Sequence, residues 1–228
     1  MCGRYASFRQ AQELADIFTV DTVSPVAAEL PMNWNVAPTT AVRVIYEMQQ
    51  GGELLRILDA AQWGLVPSWA KDPGMGARMI NARSETVAEK PSFRGSLQYY
   101  RCAVPMEGYY EWQAAPAKGA KQPFYVSAPD GAPLAAAGLY SLWRDELLTC
   151  TILTRAARPE LREIHDREPV FLSSISDWLN PTIRDREDAL ELISEPGPEL
   201  TARPVATTVN SVRNNGPQLI APLGSQAV

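Results

Sequence analysis

The second residue of the chain, Cys2, offers two nucleophiles on one residue. Removal of an initiator methionine is normal when a small side chain follows, and loss of Met1 would leave Cys2 with a free α-amine. This amine and the thiol have ordinary pKa values of about 7.7–8.0 and about 8.5. Such a β-aminothiol traps aldehydes, because the amine forms a Schiff base and the thiol then closes a five-membered thiazolidine ring. The alternative interpretation is that Cys2 belongs to a flexible terminus and has no chemical role.

Two further polar residues lie in sequence contexts that favour orienting or proton-transfer roles. Asn81 lies in the motif INARSET, where an extended backbone would place it on the same face as Arg83. Glu111 lies among aromatic residues in EGYYEW, where desolvation would raise its pKa and let it move protons near neutral pH. A turn former at Asn81 and a surface carboxylate at Glu111 are the structural alternatives.

The single histidine and the tryptophans complete the set of candidate functional side chains. His165 follows a short predicted helix and precedes Asp166, so it is either an acid–base group or an imidazole at the C-terminal end of a helix dipole. Trp63 and Trp69 lie in WGLVPSWAKD, which its prolines predict to be a loop, and Trp112 ends EGYYEW. Tryptophans in such positions either fill a core or stack on nucleic-acid bases.

Composition excludes several classes of protein. The 228 residues are 46% apolar and 21% charged, and no apolar run approaches the length of a membrane span, which predicts a cytoplasmic globular protein. The three cysteines show no CxxC spacing, so Cys102 and Cys150 are predicted core thiols, and one histidine makes a zinc site improbable. Net charge is −5, yet residues 62–104 hold six Lys and Arg against three Asp and Glu, while residues 160–199 hold four against eleven. The locally basic region, residues 62–104, can therefore face phosphates.

The pattern of elements predicts an α+β fold. A helix is predicted to start at Ser7, and residues 41–47 and 54–59 form a predicted hairpin. Strands then succeed one another without intervening helices, which favours a mixed or antiparallel sheet curled toward a barrel and flanked by short helices. The whole is a predicted single domain over residues 1–223, with a disordered tail at 224–228. The strands are predicted at 101–106, 108–113, 121–127, 133–140 and 147–154.

Ten motifs together resemble one known family, the SRAP (SOS-response-associated peptidase) proteins. They occur in the order expected of that family and cover the chain from Cys2 to Pro222. One departure is Glu168 in IHDREP, where Met or Arg is expected, and an acid there is expected to alter local charge or DNA contacts. The motifs are CGRY at 2–5, NVAPT at 35–39, WGLVPSWAKD at 63–72, INARSET at 80–86, EGYYEW at 107–112, KQPFY at 121–125, AAGLY at 136–140, LTRAA at 153–157, IHDREP at 164–169 and VN…NxG…LIxP at 209–222.

The resemblance implies a sensor and shield of abasic sites in single-stranded DNA. An abasic deoxyribose opens to an aldehyde, so the implied role agrees with the chemistry of Cys2. By the same resemblance, Asn81 orients the terminus and the sugar, Glu111 shuttles protons, and His165 acts as acid–base on the sugar oxygen. Acids at 163, 166 and 168 would favour the protonated imidazole. Lyase activity through the Schiff base, crosslink reversal and self-removal of Met1 are also implied.

The resemblance further implies a DNA-contacting set. Arginines would clamp phosphates and apolar rings would face bases. No cofactor, metal or membrane partner is expected, and the protein is expected to act as a monomer at the nucleoid or replication fork. The set comprises Arg4, Arg83 and Arg167 for phosphates, Pro38, Trp63, Trp69 and Trp112 for bases, and Asn35, Thr154 and Asn210 from the matched motifs.

Two other functions compete with covalent capture. The first is an N-terminal-nucleophile amidohydrolase or peptidase, in which the Cys2 amine is the base for its own thiol. It has no evident task for Asn81, Arg83, Trp63 and Trp69. The second is a non-covalent single-strand binding module, which would bind intact and abasic DNA with equal affinity at matched salt.

Overall fold

The structure, a computed structural model, describes residues 2–114 and 119–224 and builds them mainly from strands. Most of the helices between the strands are only one or two turns long. The strands are β1 (Tyr5–Ser7), β2 (Thr22–Val23), β3 (Asn33–Val36), β4 (Ala41–Gln50), β5 (Glu53–Trp63), β6 (Asn81–Arg83), β7 (Arg101–Met106), β8 (Gly108–Gln113), β9 (Gln122–Ser127), β10 (Leu134–Trp143), β11 (Leu147–Ala156), β12 (Arg167–Pro169) and β13 (Thr201–Pro204). The α-helices are α1 (Ala11–Ile17), α2 (Pro25–Glu29), α3 (Arg94–Tyr99), α4 (Ile175–Leu179) and α5 (Arg186–Glu191). The 3-10 helices are Pro73–Arg78, Pro159–Leu161, Thr207–Asn210 and Pro217–Ile220.

The larger sheet curls until its strands meet. Its order is β12-β11-β10-β7-β4-β5-β2, and β5 also pairs in parallel with β11, where Gln62 opposes Thr149 and Trp63 opposes Cys150. Strands β11, β10, β7, β4 and β5 therefore form a closed ring, with β6 added beside β11. The α+β fold with a curled, mixed sheet and short flanking helices is confirmed.

The turn between β4 and β5 explains why the sequence pattern predicted a hairpin here. Gln50 pairs with Glu53, which leaves Gly51 and Gly52 as the two loop residues. Their φ angles of 61° and 92° lie in the left-handed region, which glycine enters without steric cost and which matches the twist of a tight hairpin. The strands run further than predicted, because β5 continues to Trp63.

A smaller sheet, ordered β13-β9-β8-β1-β3, covers the inside of the ring. Side chains alternate along each ring strand, so one set points inward and the other outward. The inward set and the small sheet share one core, which we call the inner core. It includes Val44 of β4, Val104 of β7 and Ile152 of β11, together with Tyr5 and Tyr109 of the small sheet.

The outward set is covered by the short helices. Ile45, Leu58 and Leu153 pack with Leu14 of α1 and Trp178 of α4 in a second core. Among residues 2–114 and 119–224, no helix combines the length and apolarity needed to cross a membrane.

The predicted start of the first helix is wrong. Ser7 ends β1 and pairs with β3, because the sheet edge there satisfies its backbone. The helix instead begins after Gln10, whose backbone N–H donates to the Glu13 carboxylate at 3.1 Å. The predicted tail lies outside the described residues, except for residue 224.

Candidate active site

The N-terminal segment lies inside the protein, between two strands of the small sheet. Tyr5 of β1 pairs with β3 and with Tyr109 of β8, and the Arg4 carbonyl accepts a hydrogen bond from the Tyr110 N–H at 2.9 Å. Because β1 and β8 are antiparallel, the residues before Arg4 run alongside those after Tyr110. Cys2 is fully buried in the inner core. This burial contradicts the interpretation of Cys2 as part of a flexible terminus.

A side chain from another part of the fold fixes the position of Cys2. Asn81 of β6 donates from Nδ2 to the Cys2 carbonyl oxygen at 2.7 Å. Strand β6 is itself fixed by parallel pairing with β11, where Asn81 opposes Ile152. The Asn81 Oδ1 atom is buried and has no hydrogen-bond partner among the described residues. Asn81 thus holds the Cys2 backbone and keeps a free acceptor near it.

Burial raises the pKa of both the Cys2 thiol and the Glu111 carboxyl. Burial, aided by the nearby Glu111 carboxylate, raises the pKa of the Cys2 thiol well above its usual range. Burial also raises the pKa of Glu111, which lies on β8 and is 4% exposed, and the nearby His165 partly opposes that shift. A thiolate is the nucleophilic form of cysteine, so this thiol needs a neighbouring base at the moment of attack.

His165 lines a small cleft with Glu111, Tyr109 and Arg167. Its Nδ1 accepts a hydrogen bond from the Arg167 N–H at 3.0 Å, so the neutral ring carries its hydrogen on Nε2. The Asp166 carboxylate lies 2.9 Å from the same Nδ1 and pairs with it when the ring is protonated. The Arg167 backbone and the Asp166 carboxylate thus both hold the Nδ1 edge of the imidazole. We call Cys2, Asn81, Glu111 and His165 the reaction cluster.

Arg167 lies at the edge of this cleft and is already paired. Its guanidinium makes two hydrogen bonds to the Glu85 carboxylate, at 2.6 and 2.9 Å, and binds the backbone carbonyl and hydroxyl of Thr154. The pair lowers the pKa of Glu85. The sequence analysis missed Glu85, although it belongs to the INARSET motif. Thr154 is fully buried, so it positions Arg167 and does not offer a surface to DNA.

A second set of predicted DNA contacts forms an internal network around Arg4. Arg4 donates from Nη1 to the Asn35 Oδ1 at 2.8 Å and lies 5.8 Å from the centre of the Trp112 ring. Trp112 in turn donates from Nε1 to the Asn210 Oδ1 at 2.7 Å. Asn35 is buried and holds three backbone carbonyls of the segment 209–214. Asn35 is therefore a positioning residue and not a direct DNA contact.

The other predicted contacts divide by exposure. Trp63 is fully buried, donates from Nε1 to the Ile80 carbonyl at 2.8 Å and packs edge-on against Tyr5. Its assignment as a base-stacking surface is wrong, because it ends β5 inside the ring instead of lying in a loop. Trp69 is 57% exposed, Arg83 is exposed and Pro38 is half-buried.

Glu168 does not alter the charge of the cleft as expected. It is 1% exposed, and its carboxylate binds the guanidinium groups of Arg155 and Arg158, each at 2.9 Å. The two arginines neutralise this acid inside the protein, and Asp166 contacts His165 instead. Glu163 is exposed, and its backbone carbonyl accepts a hydrogen bond from Gln113.

The remaining thiols and acids offer little other chemistry. Cys102 and Cys150 are fully buried core thiols, as predicted, and burial raises the pKa of Cys150 to about 12. Within the described part of the chain, no group of three or more His, Cys, Asp or Glu side chains is placed to hold a metal ion.

Known proteins resemble this chain along almost its full length. The family model for SOS response associated peptidase (SRAP) matches residues 1–212. The abasic site processing protein YoqW of Bacillus subtilis is 37% identical, covering 96% of this chain and 99% of that protein, and YedK of Escherichia coli is 33% identical, covering 98% and 100%. A crystal structure of a protein from Bacteroides thetaiotaomicron has the same fold, with a TM-score of 0.80 at 23% identity, covering 97% of this chain and 99% of that one. The chain therefore belongs to the SRAP family.

Proposed function

We propose that this protein shields abasic sites in single-stranded DNA by forming a covalent thiazolidine crosslink through Cys2 after loss of Met1. The observation that carries the proposal is the placement of Cys2, whose carbonyl is held by Asn81 beside the Glu111 and His165 cleft. The names of YoqW and YedK as abasic site processing proteins support the same substrate. The protein acts as a monomer and needs no metal or cofactor for this chemistry.

The reaction joins the two nucleophiles of Cys2 to one carbon atom. The α-amine adds to the C1′ aldehyde of the ring-opened sugar, and loss of one water leaves a Schiff base. The thiol sulfur then adds to the imine carbon, and the thiol proton is transferred to the imine nitrogen. One water is released overall, and no oxidant or reductant is needed.

The residues around Cys2 supply the proton transfers. Because burial keeps the thiol protonated, attack requires a base, and the Glu111 carboxylate is the neighbouring group able to accept that proton. His165 presents its Nε2–H as a donor to the sugar oxygen, which assists ring opening and, in reverse, crosslink release. Asn81 offers its buried Oδ1 to the amine while it holds the carbonyl.

The DNA strand is proposed to lie across the exposed side of the cluster. Arg83 and Trp69 offer a cation and a ring to solvent, and the segment 62–104 that contains them is locally basic. Arg4, Arg167 and Trp112 are half-buried, and Arg167 lines the cleft. They are proposed to contact the phosphates and base nearest the lesion. The Schiff base also permits β-elimination, so a slow lyase activity is proposed.

The test is a denaturing gel of the protein mixed with single-stranded DNA that carries one abasic site. The wild type should give a shifted band, and its intact mass should lack Met1 and equal protein plus DNA minus one water. Cys2→Ala should give no such band. Cys102→Ala, which removes another fully buried thiol, should crosslink like the wild type. A stable band with Cys2→Ala, or active protein that retains Met1, would contradict the proposal.

A thiol, a carboxylate and an imidazole near one another also suit a peptidase, which is the second candidate function. On this view the Cys2 amine is the base for its own thiol, and the reaction cluster hydrolyses amide substrates. Repeated turnover of unrelated amide substrates, lost in Cys2→Ala and unaffected by Arg83→Ala, would favour a general peptidase over DNA capture.

A further inference from the structure

A large groove opens at the end of the ring where β4 and β10 finish and β11 begins. Its volume is about 810 Å³, and none of the reaction-cluster residues lines it. Tyr46, Tyr140 and Leu148 form its inner wall, since they face into the ring and pack against the inner core. We call this feature the tyrosine groove.

The rim of the tyrosine groove carries exposed aromatic rings. Tyr99 and Tyr100, at the end of α3, are 54% and 50% exposed, and Trp69 is 57% exposed. These fractions are high for such large side chains, and exposed rings gathered around one concave site are typical of a binding surface.

The rings continue from the rim to the inner wall without interruption. The Tyr99 and Tyr100 ring centres are 6.4 Å apart, Tyr100 lies edge-on to Tyr140 at 5.3 Å, and Tyr140 lies 4.9 Å from Tyr46. At the inner end, the Tyr46 hydroxyl donates to Asp59 at 3.1 Å. The groove therefore presents a continuous row of ring faces and edges, which suits a flat unsaturated ligand.

Positive charge borders the aromatic rings. Arg94 and Arg186 line the groove, and the Arg184 guanidinium lies 5.8 Å from the Tyr99 ring centre. The lining contains two acids, Asp59 and Asp145. Asp59 accepts hydrogen bonds from the Tyr46 and Ser24 hydroxyls, so its charge is partly satisfied. Rings beside guanidinium groups are the combination that binds a base together with its phosphate.

We propose that the tyrosine groove binds a base of the single DNA strand whose abasic site Cys2 captures. This inference rests on the proposed function, and it adds a second anchoring point away from the reaction cluster. Trp69 connects the tyrosine groove with the proposed DNA surface, since it is an exposed residue of that surface and also part of the groove rim. A strand held at both places would be retained before and after the covalent step.

The first test uses intact strands in a Cys2→Ala background, so that no aldehyde chemistry contributes. Strands with 5-iodouracil at successive positions are irradiated with the protein and the products are digested with trypsin. At one or a few positions, DNA should become attached to the peptide Gly95–Arg101, which carries both Tyr99 and Tyr100. Attachment at no position would overturn the proposal.

The second test measures affinity for the same intact strand at fixed salt. Tyr99→Ala and Tyr100→Ala should each weaken binding roughly tenfold, since each removes one stacking ring. Tyr99→Phe keeps the ring and should bind like the parent, and Ile17→Ala, which removes an exposed apolar side chain from α1, is the matched control. Parent-like affinity in the Tyr99→Ala, Tyr100→Ala double variant would overturn the proposal. Because the strand lacks an aldehyde, these outcomes do not depend on whether Cys2 reacts.

Discussion

Two buried carboxylates, Glu111 on β8 and Glu168 on β12, have opposite surroundings. Glu168 is bound by two guanidinium groups, those of Arg155 and Arg158. Glu111 instead has the Cys2 thiol and the His165 imidazole as neighbours, and burial raises its pKa. Both side chains are almost completely buried, at 4% and 1% exposure, so burial does not separate them.

The two sites differ in the groups that surround the carboxylate and compensate its charge. A buried carboxylate that two arginines neutralise has its charge compensated and serves structure. A buried carboxylate beside a thiol and an imidazole has a pKa that burial raises, which makes it a better proton acceptor when ionised, as acid–base catalysis requires. We therefore expect the two sites to respond oppositely when each carboxylate is made neutral.

The largest change in stability is expected at Glu168. Glu168→Gln removes the buried counter-charge of two guanidinium groups, on side chains that are each 16% exposed, so the free energy of unfolding should fall by about 3–5 kcal/mol. Urea denaturation at neutral pH measures this, with Glu163→Gln as an exposed control. A loss below about 1 kcal/mol would mean that the backbone carbonyls around Arg155 and Arg158 suffice to hold them.

Glu111→Gln should instead reduce activity and spare stability. The rate of crosslinking to abasic single-stranded DNA should fall by at least about 100-fold, the usual effect of losing a general base. Its thermal midpoint at pH 7 should be no lower than that of the wild type. Folding raises the pKa of Glu111, so its contribution to stability is greatest below its unfolded pKa and is lost as pH rises through the folded value. A neutral glutamine avoids that loss.

The pH dependence of the rate gives an independent check on the same residue. Only the ionised Glu111 accepts the thiol proton, so the wild-type rate should decline as pH falls through a value above the ordinary 4.5 of a glutamate. This acid limb should be missing from the Glu111→Gln profile. An identical limb in both proteins would assign it to another group.

The smallest effect is expected at Glu85, a carboxylate that is paired but 48% exposed. Glu85→Gln should change stability by less than about 1 kcal/mol, as is usual for exposed ion pairs. It should also tighten binding of intact single-stranded DNA by roughly two- to fivefold, because Arg167 becomes free to meet phosphate. Glu89→Gln removes a nearby exposed charge and is the control. Equal affinities of the two variants would show that Arg167 does not contact the strand.

Local patterns predicted much of the fold. The strands at 101–106 and 108–113 have the predicted bounds. The hairpin and the burial of Cys102 and Cys150 as free core thiols were also predicted from sequence. These features depend on side-chain alternation, turn glycines and composition, all of which are set by residues close together in the chain.

The errors arose where a distant partner determines the outcome. Trp63 looks like a loop residue beside proline, but pairing of β5 with β11 carries it into the ring. Ser7 looks like a helix cap, but β3 recruits it into a strand. Glu168 looks like a charge in the cleft, but Arg155 and Arg158 enclose it.

The amino-acid order was sufficient to identify a potential aldehyde trap at Cys2 and to name the side chains that could serve it. It could not show that Asn81 reaches the Cys2 carbonyl, or that Glu111 and His165 share a cleft, since these residues lie 79 positions apart in the first case and come from separate elements in the second. Proton transfer depends on distances of a few ångströms and on the exclusion of water, and both arise only when strands remote in the chain pack together.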